Sequence, residues 1–192
     1  MSQTVEAPPD RRRVFFALWP DEATRSAMSR ATRRAVQACS GRPIAKDRLH
    51  LTVAFLGDIA PARVELARGV APIPVGAFDL TLDAVGVWPE SRILWFAPLA
   101  PPDALGELEA ALWDRLVERG FPGAERIYRP HVTLARRARP IEEAVAPVVW
   151  PVRDLALVES FTDGRHVHYE VLERWPLTIS QSTGQKNSNE LQ

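Results

Sequence analysis

The chain predicts an α+β fold with mostly antiparallel strand pairing. Three observations point there. Its segments run strand, helix, strand, helix, strand, strand, helix, strand, strand, strand, so strands outnumber helices and do not alternate with them as in a parallel α/β sheet. Turn chemistry at Pro89-Glu90-Ser91 and Asp163-Gly164 joins successive strands as hairpins. A short strand pattern, His-x-Thr followed by an apolar residue, occurs twice, at His50–Val53 and His131–Leu134, one copy in each half.

At 192 residues the chain fits one domain, or two small lobes sharing one core. Hydrophobic residues make up 46% of it, with six tryptophans, enough to exclude a globally disordered chain. The balance of 24 basic and 24 acidic residues excludes a protein that grips nucleic acid mainly through a general basic field. Only Lys46 and Lys186 of the basic residues are lysine; arginine suits bidentate phosphate contacts, but such a bias more often reflects base composition. The single Cys39 rules out an intrachain disulfide and a cysteine-rich zinc site, and reads as a half-buried packing residue. No run approaches the roughly 18 apolar residues of a membrane span. The first residues also lack a signal peptide's basic start and apolar core, so a cytoplasmic protein is expected.

Residues 1–11 read as a flexible lead-in. Val14–Trp19 is the first core strand, ended by Pro20. Asp21 caps a helix running to about Cys39, with Arg25, Arg30, Arg33 and Arg34 on its outer face. Ser40–Pro43 breaks it, and Leu49–Leu56 forms the first motif strand, stopped by Gly57-Asp58. Ala60-Pro61 opens a short helix to about Gly69. Phe78–Leu82 alternates as a strand closed by Gly86–Pro89, and Arg92–Pro98 is another. Pro101–Asp103 opens a helix whose Leu105, Leu108, Leu112, Leu116 and Val117 recur at spacings of three and four, and Gly120 stops it. The second motif strand spans about Tyr128–Ala135. Trp150–Thr162 and His166–Leu177 read as the final strand pair. Residues 179–192 read as a disordered tail, which leaves 12–178 as the folded domain.

Residues two apart on a strand share a face, so each motif presents an imidazole beside a hydroxyl. By the same alternation Ala54 and Ala135 share that polar face and leave room for a ligand. A histidine alone on a strand is more often structural; two copies with matching flanks are better explained by a shared site. Two imidazoles near neutrality supply a base and an acid, the two groups that phosphodiester cleavage needs. Thr52 and Thr133 can donate to nonbridging phosphate oxygens. Arg126, Arg129, Arg136, Arg137 and Arg139 surround the second copy without an acid, and Arg136 is placed to clamp a phosphate through two hydrogen bonds. Arg42 and Lys46, just before the first copy, are candidates to meet more distant nucleotides. His166-Val167-His168 has the spacing of a metal pair, yet no acid or thiol cluster accompanies it, so surface histidines are expected.

Leu49–Gly57 and Arg129–Arg136 resemble the two signatures of the two-histidine phosphoesterase superfamily, and most closely its RNA 2',3'-cyclic phosphodiesterases, also called 2'-5' RNA ligases. Arg13–Leu18 and Arg174–Leu177 fit the same family, so the resemblance spans about residues 12–178. It implies a bilobal fold of two mostly antiparallel sheets with outer helices, the lobes related by a pseudo-twofold and lining a central cleft. It also implies metal-independent hydrolysis of an RNA 2',3'-cyclic phosphate end to a 2'-phosphate, with no cofactor. His50 would protonate the leaving 3'-oxygen and His131 would activate water, while Thr52, Thr133 and Arg136 hold the phosphate. 2'-5' ligation is the reverse activity. The expected partner is RNA with such an end, tRNA fragments included, met by a monomer away from membranes. Two alternatives stay open: hydrolysis of small cyclic nucleotides, and an RNA-end-binding module without turnover.

Overall fold

The computed structural model describes residues 11–124, 127–162 and 167–178. In chain order the elements are β1 (Arg12–Leu18), α1 (Glu22–Ala31), α2 (Arg33–Ala38), β2 (Arg42–Pro43), a 3-10 turn (Lys46–Arg48), β3 (Leu51–Ile59) and α3 (Pro61–Arg68). Next come β4 (Phe78–Leu82), β5 (Ala84–Trp88), β6 (Ile93–Ala97), α4 (Asp103–Glu118), β7 (Val132–Arg136), β8 (Val148–Val152), β9 (Asp154–Thr162) and β10 (Val167–Pro176). All strand pairs are antiparallel, and the fold is α+β as expected. The strands form two sheets. One is eight-stranded, in the order β10-β9-β1-β3-β7-β6-β5 with β2 also on β7; the other is the ribbon β4-β8.

The large sheet has two halves that meet at one point. β3 and β7, the two motif strands, pair at Leu51 and Val132. Both side chains are fully buried and share a core with Leu105, Leu108, Leu112 and Leu116 of α4, which packs on β3. Each buried leucine stabilises the fold by about 1.5–3 kcal/mol. The sheet's other face, at this junction, is therefore the one left for a ligand.

β1 runs through the centre of its half, between β3 and β9. That position explains its unbroken apolar run, because a central strand covered on both faces has no polar side. Val14, Phe16 and Leu18 join the main core, while Phe15 and Ala17 build a smaller cluster with Ala156 and Val158. Trp19, Tyr169 and Val171 pack against this second cluster.

Several expectations are corrected. The helix predicted to run to Cys39 breaks at Thr32, whose buried hydroxyl donates to the Met28 carbonyl at 2.8 Å, a back-bond that bends helices. Cys39 is fully buried rather than half-buried. Val117 lies 50% exposed, outside the α4 stripe. Ala84–Trp88 is a strand, not a closing turn. Its Gly86 lies under Trp95, where an added Cβ would stand 2.3 Å from the ring. The strand predicted over Trp150–Thr162 is two strands. β8 keeps strict alternation and pairs with β4, whereas β9 turns apolar on both faces where it joins β1. The Asp163-Gly164 turn lies outside the described residues.

Candidate active site

Each motif histidine sits one residue before its strand, held the same way. His50 Nδ1 is 2.8 Å from the Arg48 carbonyl, and His131 Nδ1 is 2.7 Å from the Arg129 carbonyl. A carbonyl only accepts, so Nδ1 is the protonated nitrogen in both rings. Each neutral ring therefore keeps its lone pair on Nε2.

The Leu51–Val132 register sets the four chemical side chains around one point. Carried one step either way, an antiparallel register places His50 opposite Thr133 and Thr52 opposite His131. All four line a single cleft of about 1400 Å³, together with Arg136. The sequence-predicted site residues are thus gathered in one place.

Beyond the threonines the strands depart from simple alternation. Phe16 pairs with Ala54 and Ala17 with Thr52, so Val53 is an extra residue on β3. Leu94 pairs with Ala135 and Trp95 with Thr133, so Leu134 is an extra residue on β7. A bulge of this kind reverses the facing of the residues beyond it. Ala54 (1% exposed) and Ala135 (0%) consequently lie in the core, contrary to the expectation that they flank the ligand. Phe55 and Arg136 turn into the cleft instead. The two motif strands have the same sequence of burial from the residue after histidine onward: buried, half-buried, buried, buried, exposed.

Comparison with known proteins establishes the family and the fold. The family model of the 2'-5' RNA ligase superfamily matches residues 19–164. The chain belongs to this superfamily. It is 35% identical to the RNA 2',3'-cyclic phosphodiesterase of Escherichia coli (strain K12), over 87% of this chain and 97% of that protein. It is 31% identical to the RNA 2',3'-cyclic phosphodiesterase of Thermus thermophilus, over 86% and 90%. Among solved structures, E. coli LigT in apo form superposes with a TM-score of 0.76 at 32% identity, covering 88% of this chain and 99% of that one. The LigT complex with 3'-AMP gives 0.75 at 30% identity, with the same coverage.

In this member of the 2'-5' RNA ligase superfamily the two histidines meet unequal surroundings. Trp19 stacks on His50 at 5.1 Å with the rings 5° from parallel, and the rings of Phe15 (31° tilted) and Tyr169 (70°, edge-on) also stand 5.1 Å away. His131 has the edge-on contact of Trp88 at 4.5 Å. Burial pushes the His50 imidazolium down to about 4, aided by the charges of His131 and Arg136. Burial also holds His131 below its ordinary value. The Arg136 guanidinium makes no hydrogen bond or ion pair among the described residues and is open to an anion.

Other expectations separate here. Arg42 lines the cleft, but Lys46 does not: it is drawn away to Glu22 at 2.5 Å and to Ser26. Arg137 and Arg139 are exposed and do not line the cleft, and Arg126 lies outside the described residues. His168 stacks on Phe161, and His166 lies outside the described residues. Among the described residues no group of three or more His, Cys, Asp or Glu is placed to hold a metal, and no helix is long and apolar enough to cross a membrane.

Sequence reasoning in this superfamily member passed over Trp19, Tyr169 and Trp88, the walls of the histidine pockets. It also missed Arg48 and the Tyr128 hydroxyl, which donates to the Thr52 carbonyl at 3.4 Å and ties the second motif's approach to the first motif strand. One signal was present in the chain. The continuous apolar run of β1 requires a second covering layer, and Tyr169 belongs to it.

Proposed function

We propose that this chain hydrolyses the 2',3'-cyclic phosphate at an RNA end to a 2'-phosphate, using His50 and His131 as a general acid–base pair without a metal. The observation that carries this reading is the pair of Nδ1-anchored imidazoles facing one cleft beside two hydroxyls and an unpaired guanidinium. His131 Nε2 takes a proton from water, the water oxygen attacks phosphorus, the bond to the 3'-oxygen breaks, and His50 Nε2 gives its proton to that oxygen. Solvent then returns a proton to His50 and accepts one from His131. Thr52, Thr133 and Arg136 hold the nonbridging oxygens as negative charge builds.

The aromatic layer supports His50 as the acid. A cation over the face of tryptophan within about 6 Å is attracted by the ring, and His50 has the stacked Trp19 face that His131 lacks. Burial opposes protonation of His50, and a bound phosphate anion would offset it at the moment the proton is needed. The 2'-5' ligation reaction is the same sequence run backward.

Both motifs come from one chain, so the site is complete in a monomer. The lone reduced Cys39 suits a cytoplasmic setting, where fragments of tRNA are one source of such ends. A second reading, hydrolysis of small cyclic nucleotides, is favoured by one observation: LigT has been solved with 3'-AMP, NADP+ and ATP bound. The test is hydrolysis by EDTA-treated protein, with an oligonucleotide and a mononucleotide bearing the same 2',3'-cyclic phosphate. His50→Ala and His131→Ala should each cost at least about a hundredfold. Near-full activity in either variant, or dependence on added metal, sinks the mechanism. Binding without product would make the chain an RNA-end-binding module.

A further inference from the structure

One end of the cleft carries more positive charge than a single phosphate uses. Arg42 of β2 is in register with Arg136 of β7, and Arg48 ends the 3-10 turn that leads into His50. All three line the cleft. None of the three guanidinium groups has a hydrogen bond or ion pair among the described residues. Like charges directly opposite on paired strands are destabilising, so the Arg42–Arg136 pair costs stability unless an anion lies between them.

The acids of the cleft do not supply that anion. Glu159 is paired with Arg12, and Asp58 is in register with Arg13, both in the β1 half of the sheet. The charges on the Arg136 side act on the His50 half, where Arg136 is felt at the imidazole. Arg136 suffices for the cyclic phosphate held between the histidines. Arg42 and Arg48 remain.

We propose that Arg42 and Arg48 form a second phosphate subsite, which takes the internucleotide phosphate on the 5'-oxygen of the terminal nucleotide. The proposal rests on the reading of the site as a cyclic phosphodiesterase and names the residues that would favour an RNA end over the small cyclic nucleotides of the second reading. In a 2',3'-cyclic end the base and the 5'-oxygen both point away from the reacting phosphate. The first upstream phosphate must therefore leave the histidine pair along one wall. Arg11 and Arg13 also line the cleft, but Arg13 lies over the Phe55 ring and in register with Asp58 in the β1 half, whereas Arg42 and Arg48 stand on the Arg136 side with no acid in register. That wall neutralises the phosphate, and arginine can do so with two parallel hydrogen bonds.

The test compares kcat/KM on three substrates: a nucleoside 2',3'-cyclic phosphate with a free 5'-hydroxyl, the same compound with a 5'-phosphate, and a dinucleotide ending in the cyclic phosphate. The wild-type protein should prefer the dinucleotide over the 5'-hydroxyl compound by about tenfold or more, the usual worth of a charge-assisted hydrogen bond. In the double variant Arg42→Gln, Arg48→Gln that ratio should fall toward one. The salt dependence of log kcat/KM on the dinucleotide should flatten by about 0.7 for each phosphate the variant no longer neutralises. A wild-type ratio near one, or a ratio unchanged in the double variant, overturns the subsite. So does a preference confined to the 5'-phosphate compound, which would mark a site for a terminal phosphate rather than a strand. If wild-type protein turns over none of the three, the catalytic reading has failed on its own. Calorimetric binding of a dinucleotide ending in a 2'-phosphate then still reads the subsite, and equal affinity in wild type and double variant overturns it.

Discussion

His50 and His131 reach the cleft by the same local route and then part company. Both are anchored through Nδ1 to a carbonyl two residues back, and both precede a strand that bulges one residue after its threonine. Past that bulge the equivalent positions hold different residues: Phe55 in the first half, Arg136 in the second. Phe55 is 50% exposed and has the Arg13 guanidinium 5.3 Å above its ring. The neighbours differ as well, three aromatic rings around His50 against one at His131. In the proposed mechanism, shared backbone geometry sets where proton transfer would happen, and the unequal surroundings would decide which group gives and which takes.

The bluntest way to break the comparison is to remove each imidazole in turn. If the two act as one acid–base unit, His50→Ala and His131→Ala each lower kcat by about a hundred- to ten-thousandfold. The double variant should then lose little more than the worse single one, since groups that act as a unit are not additive. Single-turnover hydrolysis of a cyclic-ended oligonucleotide measures this. Fully multiplicative losses would mean that the halves work independently.

Stability against pH separates the halves without any substrate. His50 titrates at about 4 in the folded chain against an ordinary value of roughly 6.5. The unfolded chain therefore binds a proton over that window while the folded one does not. Stability is fully present above about pH 6.5 and is lost as pH falls through 4, by about 3 kcal/mol in all. His131 is shifted the same way. Urea unfolding at pH 7 and pH 4.5 should show that loss in the wild type, and His50→Gln should remove more of it than His131→Gln. An unchanged pH dependence in His50→Gln would show that burial of this ring does not set it.

How far this asymmetry could be read from the chain depends on the residue. The paired His-x-Thr, the arginine-rich second copy and the antiparallel α+β class are all written locally, in alternation and in spacing. The facing of Ala54, Phe55, Ala135 and Arg136 is not. It depends on bulges opposite β1 and β6, and a bulge is a property of two paired strands rather than of either one. Trp19, Tyr169 and Trp88 escaped notice for a related reason. They lie far from the motifs along the chain and meet them through the sheet: Trp19 follows β1, which adjoins β3, while β10 and β5 lie further out, three strands from β3 and two from β7.

Exchanging the broken equivalence sharpens the comparison at intermediate cost. Arg136→Gln removes the charge-assisted contact to phosphate and should lower kcat/KM by about ten- to a hundredfold, from the 1.5–3 kcal/mol of such a bond. Phe55→Arg, which makes the halves alike, should not rescue it, because the new guanidinium stands on the Thr52 side, away from His50. Recovery of activity in the double variant would mean that the cleft accepts phosphate in either orientation.

The smallest effect isolates the aromatic layer. In the free protein both imidazoles are depressed by burial, so kcat/KM, which reports free-enzyme ionisations, should fall with rising pH from a point below about 6.5. In the complex the phosphate anion raises both values, and the alkaline limb of kcat should lie at higher pH. Trp19→Leu keeps the wall beside His50 apolar but deletes its π face, worth about 0.5–1 kcal/mol to a cation. At 1.36 kcal/mol per unit, the alkaline limb of kcat should move down by about half a pH unit. Trp88→Leu should leave the limb in place, since Trp88 meets His131 edge-on. Water entering the space beside His50 would relieve its burial and move the limb upward. That opposite sign, or equal shifts in both variants, would remove Trp19 as the feature that keeps the proton on His50.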